Sequence, residues 1–384
     1  MSNPFSKLSG LFNKSTSVLG VDIGSSSVKV IQLKNENGRA VLETYGELAT
    51  GPYGDKAVGQ AVTLASDQLL ALLSDLFREA NITTKLGAIS IPLRSSLLVN
   101  IEVPDMPEDK LATMIPIEAR KYIPVPITEV MLDWSIIPES NRSTYIPGQA
   151  PTPQPTGDDK NNQVLDVKKL KVLIVAIHND TLRQYEQIAK DSKIDTEFLE
   201  IETFSAMRSS IQSDFGVTAI VDLGAVTTKL VVVEQGIIRL SHTINKGAQD
   251  ITLAIERSLS VPFIKAEEIK REVGLVEKFG DKDIGQTISP ITEYIFSEVN
   301  QAMVEYQKDY SRSIDKVILI GGGAMLKGLL PIAEERLYAP VILGTPFDRV
   351  EAPAFLKNAL NNIGPEFAVS IGLALRLLQE DKRV

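Results

Sequence analysis

A duplicated α/β fold is what this sequence predicts, and three observations predict it. A short Asp–Gly motif near the start recurs in the second half, matched strand–turn patterns surround both copies, and a glycine-rich strand-to-helix joint follows the second copy. The first copy reads Val21-Asp-Ile-Gly-Ser-Ser-Ser-Val-Lys-Val30 and the second Val221-Asp-Leu-Gly-Ala-Val-Thr-Thr-Lys-Leu230. In each, Gly follows Asp two residues on, a hydroxyl residue (Ser27, Thr227) stands at plus five and Lys (Lys29, Lys229) at plus seven. Internal repetition of this kind is the first thing a chain should be searched for, because it fixes the architecture before any single element is assigned.

Each element follows from local pattern. Apolar, β-branched runs over residues 18–21 and 219–221 read as strands entering the glycine turn, and residues 28–33 and 229–233 as strands leaving it. Polar turns, Asn35-Glu-Asn-Gly38 and Glu234-Gln-Gly236, then lead into a third strand in each half. Between the halves, residues 101–134 read as a strand, a Pro-initiated helix with Leu111, Met114, Ile115, Ala119 and Tyr122 on one face, and an extended Pro-punctuated return. Pro116 should kink that helix or shift its start. Residues 139–167, rich in Pro, Gly, Asn, Asp and Thr, read as a mobile excursion. Residues 199–208 read as a helix connecting the halves. Residues 317–320 form a strand that ends in Gly321, Gly322 and Gly323, followed by a helix over residues 329–336.

Composition removes several function classes. The 384 residues carry 40 basic and 49 acidic side chains, a net charge of −9, so general nucleic-acid binding, which needs a cationic surplus, is not expected. With no Cys there is no disulfide, thiolate nucleophile or Cys-ligated metal, and the two histidines, His178 and His242, are too few and too far apart in sequence for a multi-His centre. Both read as structural. The single Trp, Trp134, lies in an expected strand, with packing or recognition as its two readings. No apolar run approaches membrane-span length, and residues 1–13 lack a secretory h-region. Phe5, Leu8, Leu11 and Phe12 share a face if helical, beside Lys7 and Lys14: a frayed or docked tail on one reading, surface membrane contact on the other.

The motifs themselves point to phosphate chemistry. Gly24 and Gly224 let backbone approach a phosphate, with Ser25, Ser26, Ser27, Thr227 and Thr228 offering donors beside them. Asp22 and Asp222 would leave their strands toward one cleft, a pairing that suits a hydrated Mg²⁺ bridging nucleotide phosphates, and Lys29 would neutralise phosphate charge. Lys229 is the weaker candidate, since a solvated strand residue is its simpler reading. Gly321–Gly323 and the helix after them would receive an adenosine moiety and its α-phosphate, or else serve only as a tight strand–helix joint.

In this order and spacing the three motifs resemble the actin/Hsp70/sugar-kinase ATPase superfamily, with its ribonuclease H-like duplicated fold. The resemblance implies phosphate 1 at residues 22–29, phosphate 2 at residues 222–228, adenosine at Gly321, Gly322, Gly323 and Met325, and ATP with Mg²⁺ as the bound species. Glu267 and Lys270 match a Glu/Lys pair that grips the ribose in bacterial relatives; an exposed i,i+3 ion pair is the alternative. In this superfamily the connecting helix can place a polar residue near the attacking water, so Glu202 becomes the catalytic candidate, against a solvent-facing helix carboxylate.

Residues 101–134, with Met106-Pro-Glu, Glu118-Ala, Tyr122-Ile-Pro-Val-Pro126, Glu129-Val and Asp133, closely resemble the 1C subdomain of the PilM family, cytoplasmic actin-like proteins of type IV pilus assembly and relatives of the division proteins FtsA. The implied organisation is an N-terminal tail (1–15), subdomain 1A (16–93), 1C (94–170), a return to 1A with the connecting helix (171–214), 2A (215–247), 2B (248–312), 2A again (313–365) and a C-terminal helix returning to 1A (366–384). The implied function is a nucleotide-dependent component of the inner-membrane assembly platform of a type IV pilus or related secretion system. It would dock the cytoplasmic N-terminal peptide of a PilN-like bitopic membrane protein in a 1A/1C groove, beside other platform and motor components. Membrane contact would be mainly indirect, and self-association is left open. Hydrolysis is expected to be slow or absent. Two other functions compete: an FtsA-like membrane-associated filament protein, against which stands the lack of an amphipathic segment after the last core helix, and a sugar or acid kinase, against which stands the apolar, Pro-rich 1C segment.

Overall fold

β1 (Ser17–Ile23), β2 (Ser27–Glu36) and β3 (Arg39–Ala49) form an antiparallel meander, and α1 (Ser66–Glu79) carries the chain to β4 (Leu86–Ile91), which pairs parallel with β1. The computed structural model describes residues 16–138, 169–212, 216–276 and 278–380; the expected tail (1–15, including residues 5–12) and the expected excursion (139–167) lie outside the described residues. The β2–β3 turn is closed by Asn37 and Gly38, both at positive φ, which suits the twist of a two-residue hairpin. Leu69, Leu72, Leu73 and Leu76 line the buried face of α1 at helical spacing.

After Ser96 the chain builds a smaller unit, residues Leu97–His178, from β5 (Ser96–Pro104), α2 (Glu108–Ala119), β6 (Val130–Ile137) and β7 (Lys169–His178), with strand order β5-β7-β6. It has its own core, in which Leu111, Ile115 and Ala119 of α2 meet Ile101, Val103, Val172 and Ile174 of the sheet. Trp134 packs, partly buried, against that core. Tyr122, expected on the apolar face of the helix, stands beyond its end and is exposed. Pro116 lies inside α2, which begins after Pro107 with Glu108 and Asp109 in its first turn, where their charge complements the dipole. Residues 171–178 remain in this sheet, paired with β6, and so extend the unit past the expected boundary at 170.

The larger unit resumes with α3 (Asn179–Asp191), β8 (Asp195–Ile201), which joins β4 in parallel, and α4 (Glu202–Ser210). The connecting helix therefore starts at Glu202. Residues 199–201, expected in it, are strand because they pair with Ile89, Ser90 and Ile91 of β4.

The second half repeats the first. β9 (Val217–Leu223), β10 (Thr228–Glu234) and β11 (Ile237–Ile244) form the meander, α5 (Ala248–Leu259), α6 (Phe263–Glu272) and the 27-residue α7 (Ile284–Tyr310) intervene, and β14 (Lys316–Ile320) pairs parallel with β9. The hairpin β12 (Lys278–Phe279) and β13 (Lys282–Asp283) precedes α7, whose N-cap Asp283 accepts from the Gln286 amide at 3.2 Å. α8 (Leu329–Arg336) and β15 (Val341–Leu343) complete the sheet. The two sheet orders, β3-β2-β1-β4-β8 and β11-β10-β9-β14-β15, correspond strand for strand in position and direction. α9 (Lys357–Ile363) then leads to α10 (Ala368–Glu380), whose residues Ile371, Leu373 and Ala374 are fully buried as it packs on β1, β2, β4 and α4.

Candidate functional site

A cavity of about 750 Å³ opens in the larger unit, and both Asp–Gly turns reach it. The turns are built alike. Gly24 N–H donates to the Ser27 carbonyl at 3.0 Å and Gly224 N–H to the Thr227 carbonyl at 3.1 Å. A Cβ on either glycine would stand 2.7 or 2.8 Å from that same carbonyl, so the turn closes only without a side chain. Strand register then sets the charges: Asp22 lies opposite Lys29 and Asp222 opposite Lys229. Ser25, Ser26, Ser27 and Thr227 line the cavity with their glycines. Thr228 does not. It is fully buried, and its hydroxyl donates to the Lys246 carbonyl at 2.9 Å, which removes it from the phosphate-facing set expected from the sequence.

The two Asp/Lys pairs behave differently. Lys29 turns to Glu47 at 3.0 Å and donates to Ser27 Oγ at 2.6 Å, while Asp22 Oδ1 accepts from Ser90 Oγ at 2.8 Å. Burial pushes the Asp22 carboxyl up to about 6, against the opposing pull of Lys29. Lys229 instead bridges two carboxylates, Glu202 Oε2 at 2.7 Å and Asp222 Oδ2 at 3.2 Å. Burial would lower its pKa, but Asp222 and Glu202 together raise it well above the usual lysine value. The solvated-strand reading of Lys229 is thus overturned: its side chain is only 16% exposed.

Glu202 is the first residue of α4 and is not solvent-facing either. Its second oxygen, Oε1, accepts from the Leu93 amide at 2.6 Å, so both carboxylate oxygens are engaged. The carboxylate is thus fixed between the Lys229 ammonium and the Leu93 amide.

Gly321, Gly322, Gly323 and Met325 also line the cavity. Gly321 adopts φ +82°, and a Cβ there would run into Asp222 Oδ1 and the Leu223 carbonyl, so the glycine turn and the second Asp are packed as one piece. A short 3-10 turn, Gly322–Met325, separates the glycines from α8. Glu267 and Lys270 on α6 meet at 2.6 Å, and Thr252 Oγ1 donates to Glu267 Oε2 at 2.7 Å. Burial would raise Glu267, but Lys270, Thr252 and Arg271 hold it below the usual carboxylate range. Both partners are largely buried, so the exposed-pair reading does not hold.

Three further polar groups carried no sequence signal: Glu47 from β3 and Glu366 ahead of α10, which line the cavity, and the buried Ser90 of β4, which donates to Asp22. Burial pushes Glu366 up, opposed by Lys29 and reinforced by Glu47, whose own carboxyl is held down against burial mainly by Lys29. Gln249 Oε1, at the start of α5, accepts from the Ala61 amide at 2.6 Å.

The expected Mg²⁺ does not fit this donor set. Asp222 already faces the Lys229 ammonium and Asp22 accepts from the Ser90 hydroxyl, so an ion bound through these carboxylates would stand beside a like charge.

The duplicated sheets and the cleft between their glycine turns define an actin-like ATPase fold. The chain belongs to the type IV pilus assembly protein PilM family, which it matches over residues 20–145 and 160–378. Among curated proteins it is similar to the cell division protein FtsA of Streptococcus pneumoniae, 23% identical over 370 residues covering 88% of this chain and 77% of that protein. It is also similar to FtsA of Helicobacter pylori strain J99, 26% identical over 231 residues covering 53% of this chain and 46% of that protein. Among solved structures, a chain of a PilM-PilN type IV pilus biogenesis complex superposes with TM-score 0.75 at 23% identity, covering 94% of this chain and 98% of that one. MreB 5 of Spiroplasma citri bound to AMPPNP superposes with TM-score 0.53 at 11% identity, covering 96% of this chain and 99% of that one. At these identities the structures establish the fold.

Proposed function

We propose that this chain binds ATP in the cavity of its larger unit and serves as a cytoplasmic component of a type IV pilus assembly platform, recruited by the cytoplasmic N-terminal tail of a PilN-like membrane protein. The observation that carries this reading is the family match, which runs through the smaller unit as well as through the ATPase-like halves. The turns at Gly24–Ser27 and Gly224–Thr227 would present amides and hydroxyls to the phosphates. Gly321–Gly323 and Met325 would take the adenosine, and Glu267 and Lys270 the ribose hydroxyls. With both oxygens of Glu202 engaged, slow or absent turnover is the expectation.

Among the described residues no helix is long and apolar enough to cross a membrane, so attachment to the inner membrane is assigned to the bound partner. The smaller unit, the 1C element of this reading, is taken as the docking element. The test is binding of fluorescent peptides copied from the cytoplasmic tails of bitopic membrane proteins encoded beside the gene, measured with and without ATP. Capture of one peptide with ATP-dependent affinity is expected. A protein that binds ATP but none of these peptides would sink the pilus-platform reading.

The FtsA similarity favours a second reading, a filament-forming division protein. ATP-dependent cosedimentation in the absence of any partner is the outcome that would favour it.

A further inference from the structure

The two copies of the Asp–Gly hairpin share a register but not a charge arrangement, and the groups that differ line the cavity. In the first copy Lys29 turns from its cross-strand Asp22 to Glu47. In the second, Lys229 stays on its cross-strand Asp222 and reaches Glu202 as well, at 3.2 and 2.7 Å. Glu202 is fixed from behind by the Leu93 amide, and Asp222 by packing against the Gly321 turn. The ammonium is therefore held in a rigid carboxylate pair and is mostly shielded from water. A carboxylate pair at phosphate-binding turns is what a divalent cation would otherwise need.

We propose that Lys229 is the resident cation of this cleft: its ammonium occupies the position of a divalent metal between Asp222 and Glu202 and meets the terminal phosphates of the nucleotide directly, so that ATP binding does not depend on Mg²⁺. A metal ion entering beside it would face a like charge at contact distance, with both oxygens of Glu202 and one of Asp222 already engaged. An ammonium has donors to spare. It can hold two carboxylates and still give a hydrogen bond to a phosphate oxygen.

The phosphate half of this inference rests on the nucleotide reading above; the metal half does not, and the experiment separates them. Equilibrium binding of a fluorescent ATP analogue is measured in MgCl₂ and in EDTA, and binding of Mn²⁺ to nucleotide-free protein is measured by electron paramagnetic resonance. For the unaltered protein, ATP affinity in EDTA stays within about fivefold of that in MgCl₂, and no millimolar-or-tighter Mn²⁺ site appears. Lys229→Met gains a Mn²⁺ site and its ATP affinity becomes Mg²⁺-dependent by more than about tenfold, whereas Lys229→Arg, which keeps the charge, gains none. A loss in EDTA greater than about fivefold for the unaltered protein, or a Mn²⁺ site there as tight as in Lys229→Met, overturns the proposal. If the unaltered protein binds ATP in neither buffer, the nucleotide reading and the phosphate contact fall together, and the Mn²⁺ comparison still decides whether Lys229 holds the metal position. If Lys229→Met does not fold, the EDTA comparison and the Mn²⁺ titration of the unaltered protein, neither of which needs a variant, uphold or overturn the proposal by the same limits.

Discussion

Asp22 shows how the cleft trades stability for a charged surface. Its carboxyl is pushed up to about 6 from the ordinary 3.8 by burial, so the folded state takes up the proton more readily than the unfolded chain. Stability from this group is therefore greatest below about pH 4 and is lost as pH rises through about 6. Asp22→Asn removes the titration while keeping an acceptor for Ser90. The variant should be more stable than the parent above about pH 6, by about 1–3 kcal/mol, with the difference fading toward about pH 4. Urea unfolding across that range checks it; an equal or lower stability of the variant at neutral pH would refute the assignment. Glu202 predicts the opposite sign. Truncation to Ala leaves the Leu93 amide without its acceptor and Lys229 with Asp222 alone, and should cost about 2–4 kcal/mol, whereas Glu202→Gln, which can still accept from Leu93, should cost less. Equal losses for the two variants would show that the amide contact contributes nothing. At this scale the sequence was only partly readable. Asp22, Asp222 and the glycines carry a repeated local signature, but Ser90 and Glu47 come from separate strands that sheet order brings beside the first turn, and Glu366 from the segment ahead of α10. The burial of Lys229 is not legible locally, because a strand residue opposite Asp looks solvent-facing until α4 delivers Glu202 to it.

Elements bind these residues into one framework. The Gly321 turn and the Asp222 hairpin interlock: β14 lies parallel to β9 with Ile320 beside Asp222, and Gly321 continues at φ +82° over the carboxylate. Gly321→Ala should cost about 2 kcal/mol or more and weaken ATP binding, because the methyl would strike Asp222 in a backbone conformation that disfavours any side chain. Gly322→Ala is the control. A Cβ there finds its nearest atom at 3.7 Å, so stability should stay within about 0.5 kcal/mol. If thermal unfolding shows equal losses at the two positions, the interlock is not what requires glycine at 321. Hairpins were the most legible elements, since Asn37-Gly38 and Gln235-Gly236 announce their turns and flank β-branched runs. The β8–α4 junction was not. Phe198, Leu199 and Ile201 fit a helical face as readily as a strand, and only pairing with β4 decides between them.

At the scale of the whole molecule, the residues lining the cavity fall between Asp22 and Ser95 or between Thr181 and Val369, all in the larger unit. The smaller unit, Leu97–His178, has a core of its own and contributes none of them. The duplication in the sequence made the two halves legible, while the unit inserted between Ser96 and Asn179 has no copy and was readable mainly through its resemblance to a family subdomain. This separation makes the division of labour testable. Replacing residues 97–178 with a short Gly/Ser linker should leave a folded protein whose ATP affinity stays within about threefold of the parent, since flexible connections close at low entropic cost and no cavity group is removed. The same protein should lose capture of the membrane-protein peptide and, in cells that contain the partner, its recovery with the membrane fraction. ATP binding and peptide binding are measured on one preparation, so a fold defect would show as loss of both. If the shortened protein binds ATP and still captures the peptide, the docking element lies in the ATPase-like unit, and the proposed role of the smaller unit falls.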